Sequence, residues 1–197
     1  MRWTSTVSDE PGLEPAVRAA VAALRAQLAD TRPDLLIVFA SAHHAAQFDR
    51  LPALMAAAFE SALLVGCSAG GVIGGGHEVE QRPGLSLTAA VLPGVDVFPF
   101  HVEQGAPHAH LPQSHFILLA DPFSFDAEAF LRDIDRTHPS SRKIGGLASG
   151  GQQPGANALF LGRDVHREGL VGVALGGDIE VDTIVAQGCR PIGQQLT

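Results

Sequence analysis

A chain of 197 residues with 46% hydrophobic and 17% charged side chains has the size of one large domain or two small ones and the composition of an ordered protein. At this length roughly 70% of the unfolded surface can be buried, so a core needs neither disulfides nor metal. The net charge is −8 and the basic residues are scattered, twelve of the thirteen being Arg, which argues against nucleic acid or an anionic membrane as partner.

Two cysteines, Cys67 and Cys189, with no C-x-x-C, suggest a reducing compartment. The first ten residues lack the apolar run of a signal peptide, and nothing approaches 18 uninterrupted apolar residues. The expectation is a soluble, cytoplasmic chain with no membrane partner.

In chain order, residues 14–30 read as an amphipathic helix with Pro15 in its first turn and Val17, Val21, Leu24 and Leu28 on one face. Residues 35–39 form a continuous apolar run, the mark of a strand buried on both faces. A second helix is expected over 49–61, with Leu51, Met55 and Phe59 spaced by four. Strands over 85–92 and 95–102, separated by Pro93-Gly94, read as a hairpin. Residues 103–114 are linker-like, 115–120 form another buried strand, and 126–137 a third helix that stops before Pro139. Residues 158–161, 170–175 and 179–186 are further strands, the last two joined by Gly176-Gly177.

Two glycine clusters punctuate this order. Gly66, Gly70 and Gly71 enclose Cys67, Ser68 and Ala69, and the pattern returns as Gly146, Ser149, Gly150 and Gly151. Aligning the terminal glycines pairs Gly66 with Gly146 and Ala69 with Ser149. A constant shift of 83 residues also maps Leu92 onto Leu175, Gly94 onto Gly177 and Gly105 onto Gly188. The expected fold is therefore α/β, with a mixed α+β arrangement as the variant, built from two pseudo-repeated units with helices on the outside. The whole of 1–197 is read as a single domain, its units spanning about 1–104 and 113–197.

Three segments carry a family resemblance: Phe39-Ala40-Ser41-Ala42-His43, the run Val65 to Gly71, and Gln187-Gly188-Cys189-Arg190-Pro191-Ile192-Gly193. Together they resemble the N-terminal FIST domain, a family of intracellular sensors of signal transduction. The resemblance implies a non-catalytic module that binds a small, amino-acid-like ligand, or haem as in some members. It also implies a C-terminal FIST domain, or a separate signalling protein, as partner. Backbone N–H groups of a Gly-rich loop can hold a carboxylate without a formal phosphate motif. The candidate ligand-binding residues are Gly66, Cys67, Ser68, Ala69, Gly70, Gly71, Gly146, Ser149, Gly150, Gly151, Ser41 and His43.

A rival reading takes Gly66-Cys67-Ser68-Ala69-Gly70 as the G-x-S-x-G elbow of a serine hydrolase. Ser68 would be its nucleophile, Asp121 or Asp178 its acid and His138 or His166 its base. Against it, Val72 to Gly76 cannot make the helix that should follow the elbow, and the second cluster has Ala148 where Ser68 stands. Neither G-x-x-x-x-G-K-[ST] nor G-x-G-x-x-G occurs. Nine histidines include His101, His108, His110 and His115 around the linker and His43, His44 and His77 nearer the glycines, but no zinc spacing occurs. No metal site is expected, and no histidine is singled out as a haem ligand.

Overall fold

A computed structural model describes residues 1–29, 31–103 and 114–184. Strand β1 (Arg2–Ser8) leads into helix α1 (Leu13–Leu28), which buries Val17, Val21, Leu24 and Leu28 along one stripe and ends at Ala29 in the left-handed region. Strand β2 (Leu35–Ser41) runs into a 3-10 helix (Ala42–Arg50) and then α2 (Leu51–Ala58), with Pro52 at its start. The expected helix over 49–61 is thus shorter, because proline has no N–H to give and fits only a first turn.

Next come β3 (Leu63–Ala69), β4 (Gly71–Gly74), β5 (His77–Glu80) and β6 (Leu85–Val91). The rest is β7 (Val95–Val102), β8 (His115–Ala120), α3 (Ala127–Thr137), β9 (Lys143–Leu147), β10 (Leu159–Leu161), β11 (Asp164–His166) and β12 (Leu170–Gly177). In α3 the Asp126 side chain accepts the N–H of Ala129 at 2.9 Å and caps the helix.

The strands form a six-stranded sheet, β1-β6-β2-β3-β10-β11, a four-stranded sheet, β7-β12-β8-β9, and the small β4-β5 pair. Helices α1 and α2 cover the first sheet through Leu36, Val38, Leu85, Leu87 and Phe160. Val65, Cys67, Ile117, Leu119, Val171 and Val173 fill the space between the two sheets. Helix α3 closes the outer side of the second sheet through Phe130 and Ile134. The result is a four-layer α/β molecule, helix–sheet–sheet–helix, with the helices outside.

Direction and order recur between the sheets. In the first, β1 is antiparallel to β6, β6 antiparallel to β2, and β2 parallel to β3. In the second, β7, β12, β8 and β9 stand in the same relations. The ladders place Gly66 opposite Val38 and Gly145, not Gly146, opposite Leu118.

The hairpin expected over 85–102 does not form. Strand β6 lies between β1 and β2, whereas β7 pairs with β12 in the other sheet. Pro-Gly suits a type II turn, whose geometry splays strands instead of pairing them, and here it carries the chain from one sheet to the next. No strand follows Gly177 among the described residues up to 184, so the pairing expected through Gly176-Gly177 is absent there too. The expected unit boundary near 104–114 falls, apart from Ser114, outside the described residues.

The first glycine cluster is also more ordered than a loop. Cys67, Ser68 and Ala69 lie in ladder register with Phe39, Ala40 and Ser41, and the turn comes later, at Gly75 and Gly76 between β4 and β5. A side chain at Gly66 would put its Cβ 2.0 Å from the Val38 carbonyl oxygen. That glycine serves close strand packing.

Candidate functional site

Both parallel pairs end at one place. Ser41 closes β2 and Ala69 closes β3; Asp121 follows β8, and Ala148 to Gly151 follow β9. The two glycine clusters meet there: the Ser149 N–H donates to the Ser68 carbonyl at 3.1 Å, and the Gly70 N–H donates to Ser149 Oγ at 3.0 Å. Gly150, at φ +91°, is threaded so tightly that a Cβ would lie 2.8 Å from the Ala69 carbonyl oxygen and 2.9 Å from the Ala42 methyl. Gly70, Gly71, Ser149 and Gly150 are exposed on the rim.

Under the rim lies a buried polar chain that joins the two sheets. Ser68 Oγ donates to Asn157 Oδ1 at 3.2 Å, which also accepts the Gly151 N–H at 2.9 Å. Asn157 Nδ2 donates to Asp121 Oδ1 at 3.0 Å, and Asp121 Oδ2 accepts the Phe123 N–H and the Ser124 hydroxyl. Ser68 Oγ in turn accepts the Ala158 N–H at 3.1 Å. Ser68, Asn157 and Asp121 are all buried, and each makes at least two of these bonds. Buried polar atoms survive in a core only when paired this way. Sequence reasoning missed Asn157 altogether. Its signal was a single amide set against the apolar run Ala158 to Leu161, just after a glycine cluster.

The remaining candidates divide. Ser41 is buried, with its hydroxyl accepting the Gly84 N–H at 2.9 Å and standing 3.5 Å from His43 Nδ1; His43 itself is exposed. Gly71 belongs to β4, beside Glu80. Gly66 sits deeper in β3, and Gly146 is far off on the exposed strand β9. Cys67 points between the sheets, where burial pushes its thiol up to about 12. It stays a protonated thiol at neutral pH.

Ser68 lacks the parts of a nucleophile elbow. It is inside a strand, not on a sharp turn; the residues that follow enter a hairpin, not a helix; and its hydroxyl is aimed at an amide. Of the proposed partners, Asp121 reaches it only through Asn157, while His166 stacks on His101 at 3.8 Å between ring centroids.

No group of three or more His, Cys, Asp or Glu among the described residues could hold a metal ion. Grooves of about 400, 340 and 450 Å³ lie near Arg25, near β9 and near Asp49, and no histidine lines any of them. They offer haem no slot with an axial ligand. His44 is buried, its Nε2 has no hydrogen-bond partner among the described residues, and burial and then His43 lower its pKa. His108, His110 and the 187–193 segment lie outside the described residues.

A two-sheet α/β fold whose parallel strands end at paired glycine clusters defines the class. The FIST N domain family matches residues 34–197, and the chain belongs to that family. The family is one of sensory domains of signal transduction, generally non-enzymatic. The chain is 35% identical to "Uncharacterized protein Rv0628c" of Mycobacterium tuberculosis, over 98% of the chain and 52% of that protein. It is 29% identical to "Uncharacterized protein Mb0898c" of Mycobacterium bovis, again over 98% and 52%. It thus spans about half the length of these relatives. No helix among the described residues is long and apolar enough to cross a membrane.

Proposed function

We propose that this chain is a sensory domain that binds a small anionic or zwitterionic ligand, such as an amino acid, on the rim formed by residues 69–71 and 149–151. The observation that supports this most is that two parallel strand pairs, from different sheets, end side by side. Ligands of α/β proteins sit outside the carboxyl ends of parallel strands. Ser149 Oγ already accepts from Gly70 and keeps its own hydrogen to donate to a carboxylate. His43, exposed beside Ser41, supplies an adaptable partner. Binding alone transmits nothing, so the signal passes to a further domain, such as a C-terminal FIST domain, or to a separate signalling protein.

Titration calorimetry against amino acids and short carboxylates tests the reading, with haem as a separate arm. The wild type should bind one of the first two classes, and Ser149→Ala and His43→Ala should weaken it by about tenfold each, the worth of one charge-assisted hydrogen bond. Equal affinities in folded variants would move the site elsewhere. No binding by the wild type would sink the reading.

A further inference from the structure

Gly71 is not a glycine for the sake of its backbone. Its φ is not positive, unlike that of Gly150 across the rim, and it stands in ladder register in β4, opposite Glu80 of β5. What it accommodates is a side chain. A Cβ at Gly71 would lie 3.1 Å from Glu80 Cγ and 3.5 Å from Glu80 Oε1, so the glutamate passes over bare backbone at the exposed rim. Cross-strand neighbours meet in this way when one of them leaves room. The strand end that carries Glu80 is well anchored. Val79 packs with Ala69 and Val72. Past Gln81, the Gly84 N–H donates to Ser41 Oγ at 2.9 Å, and the Ser41 N–H donates to the Gly84 carbonyl at 2.8 Å. The Glu80 carboxylate has no hydrogen bond or ion pair among the described residues. Arg82, two residues on, is turned to Asp9 at 2.9 Å instead.

We infer that Glu80 receives a cationic group of the ligand, an ammonium or a guanidinium, so that the rim selects a zwitterion over a plain anion. This rests on the rim reading proposed above and narrows its ligand class. The hydroxyl and the carboxylate flank consecutive residues: Ser149 Oγ is 3.0 Å from the Gly70 nitrogen, and Glu80 lies over Gly71. Neither glycine cluster contains Lys or Arg. A ligand with a carboxylate and no cation would meet the Ser149 hydroxyl and, beside it, the like charge of Glu80. Like charges at short range repel. A cation on the same ligand replaces that repulsion with a charge-assisted hydrogen bond and gives Glu80 the partner it lacks. Dicarboxylates and inorganic anions are disfavoured on the same ground.

Calorimetry on the 197-residue chain tests this with matched probes, each amino acid set against the same acid without its amino group, such as alanine against propionate and leucine against isocaproate. The wild type should bind the amino member of a pair about tenfold more tightly, and Glu80→Gln should close that gap. Glu80→Asp, which keeps the charge one methylene short, should retain part of it. Glu78→Gln removes an exposed charge two residues earlier on the same face of β5 and should leave the gap intact. That control separates a contact from the general field of a chain at −8. Glu80 is exposed, so circular dichroism should show each variant folded. Equal binding of both members by the wild type overturns the inference and leaves the rim reading standing. A gap that persists in Glu80→Gln, or that Glu78→Gln removes equally well, does the same. Binding of neither member of any pair overturns both.

Discussion

Removing the Asn157 carboxamide would strand three partners at once: the buried Ser68 hydroxyl, one oxygen of buried Asp121 and the half-buried Gly151 N–H. Each unsatisfied buried group costs about 1–3 kcal/mol. Asn157→Ala should therefore destabilise the fold by about 3 kcal/mol or more in urea unfolding, far beyond an ordinary truncation; a loss under about 1 kcal/mol would show that water replaces the amide. Histidine supplies a second test at this scale. Burial and His43 hold His44 below the ordinary imidazole value, and burial and His101 do the same to His166. In the unfolded chain both titrate near 6.5, so there the unfolded state binds more protons than the folded one. Stability is complete above that pH and is lost as the pH falls below it. The melting temperature should drop between pH 7.5 and 5.5, and His44→Gln should flatten the drop. An unchanged slope in that variant would remove His44 from the account. The sequence made Ser68 conspicuous and Asn157 not, because a motif marks a residue by its neighbours in the chain, whereas Asn157 acts on residues 89 and 36 positions away.

Adjacent glycines in β9 have opposite duties. At Gly145 a Cβ would lie 1.7 Å from the Leu118 carbonyl oxygen, so backbone must move, whereas at Gly146 it meets open space. Gly145→Ala should cost about 2 kcal/mol or more, and Gly146→Ala should fall within about 0.5 kcal/mol of the wild type. Equal costs would mean that strand propensity, not the approach of β9 to β8, rules both positions. Elements that bury an unbroken apolar run or stripe, such as β8 over 115–120 and α3, were legible to within a residue. Strand β1 was not. Its Thr and Ser residues alternate on a half-buried edge, where little apolar burial marks the pattern. The β4-β5 hairpin was hidden by its own turn: Gly75-Gly76 is a type I′ signal, but glycines on both sides made the stretch read as loop. Pro93-Gly94 misled in the opposite sense. A turn was correctly marked, but whether it folds a chain back or passes it to another sheet depends on which sheet needs the next strand.

At the scale of the whole chain, the recurrence of strand order supports a proposal of two copies of one unit, but with β7, which the sequence reading put in the first unit of about 1–104, opening the second as β1 opens the first. Two likenesses in hydrogen bonding agree with it: Ser41 N–H donates to the Gly84 carbonyl at 2.8 Å and Asp121 N–H to the Gly169 carbonyl at 2.9 Å, each just after the apolar part of a parallel strand. Yet the units are interlocked. Strand β10, late in the chain, pairs with β3 of the first sheet, and residues of both sheets fill the layer between them. Neither sheet buries that face without the other, so the molecule should unfold in one step, as domains with a single shared core do. Trp3, the only tryptophan, reports on the first sheet from β1. Phe98→Trp in a Trp3→Phe background would report on the second from β7, at a position already 39% exposed. The two fluorescence transitions in urea should share one midpoint and one slope with the circular dichroism. Separate midpoints would show two independently stable units and would relegate the β10–β3 pairing to a weak contact.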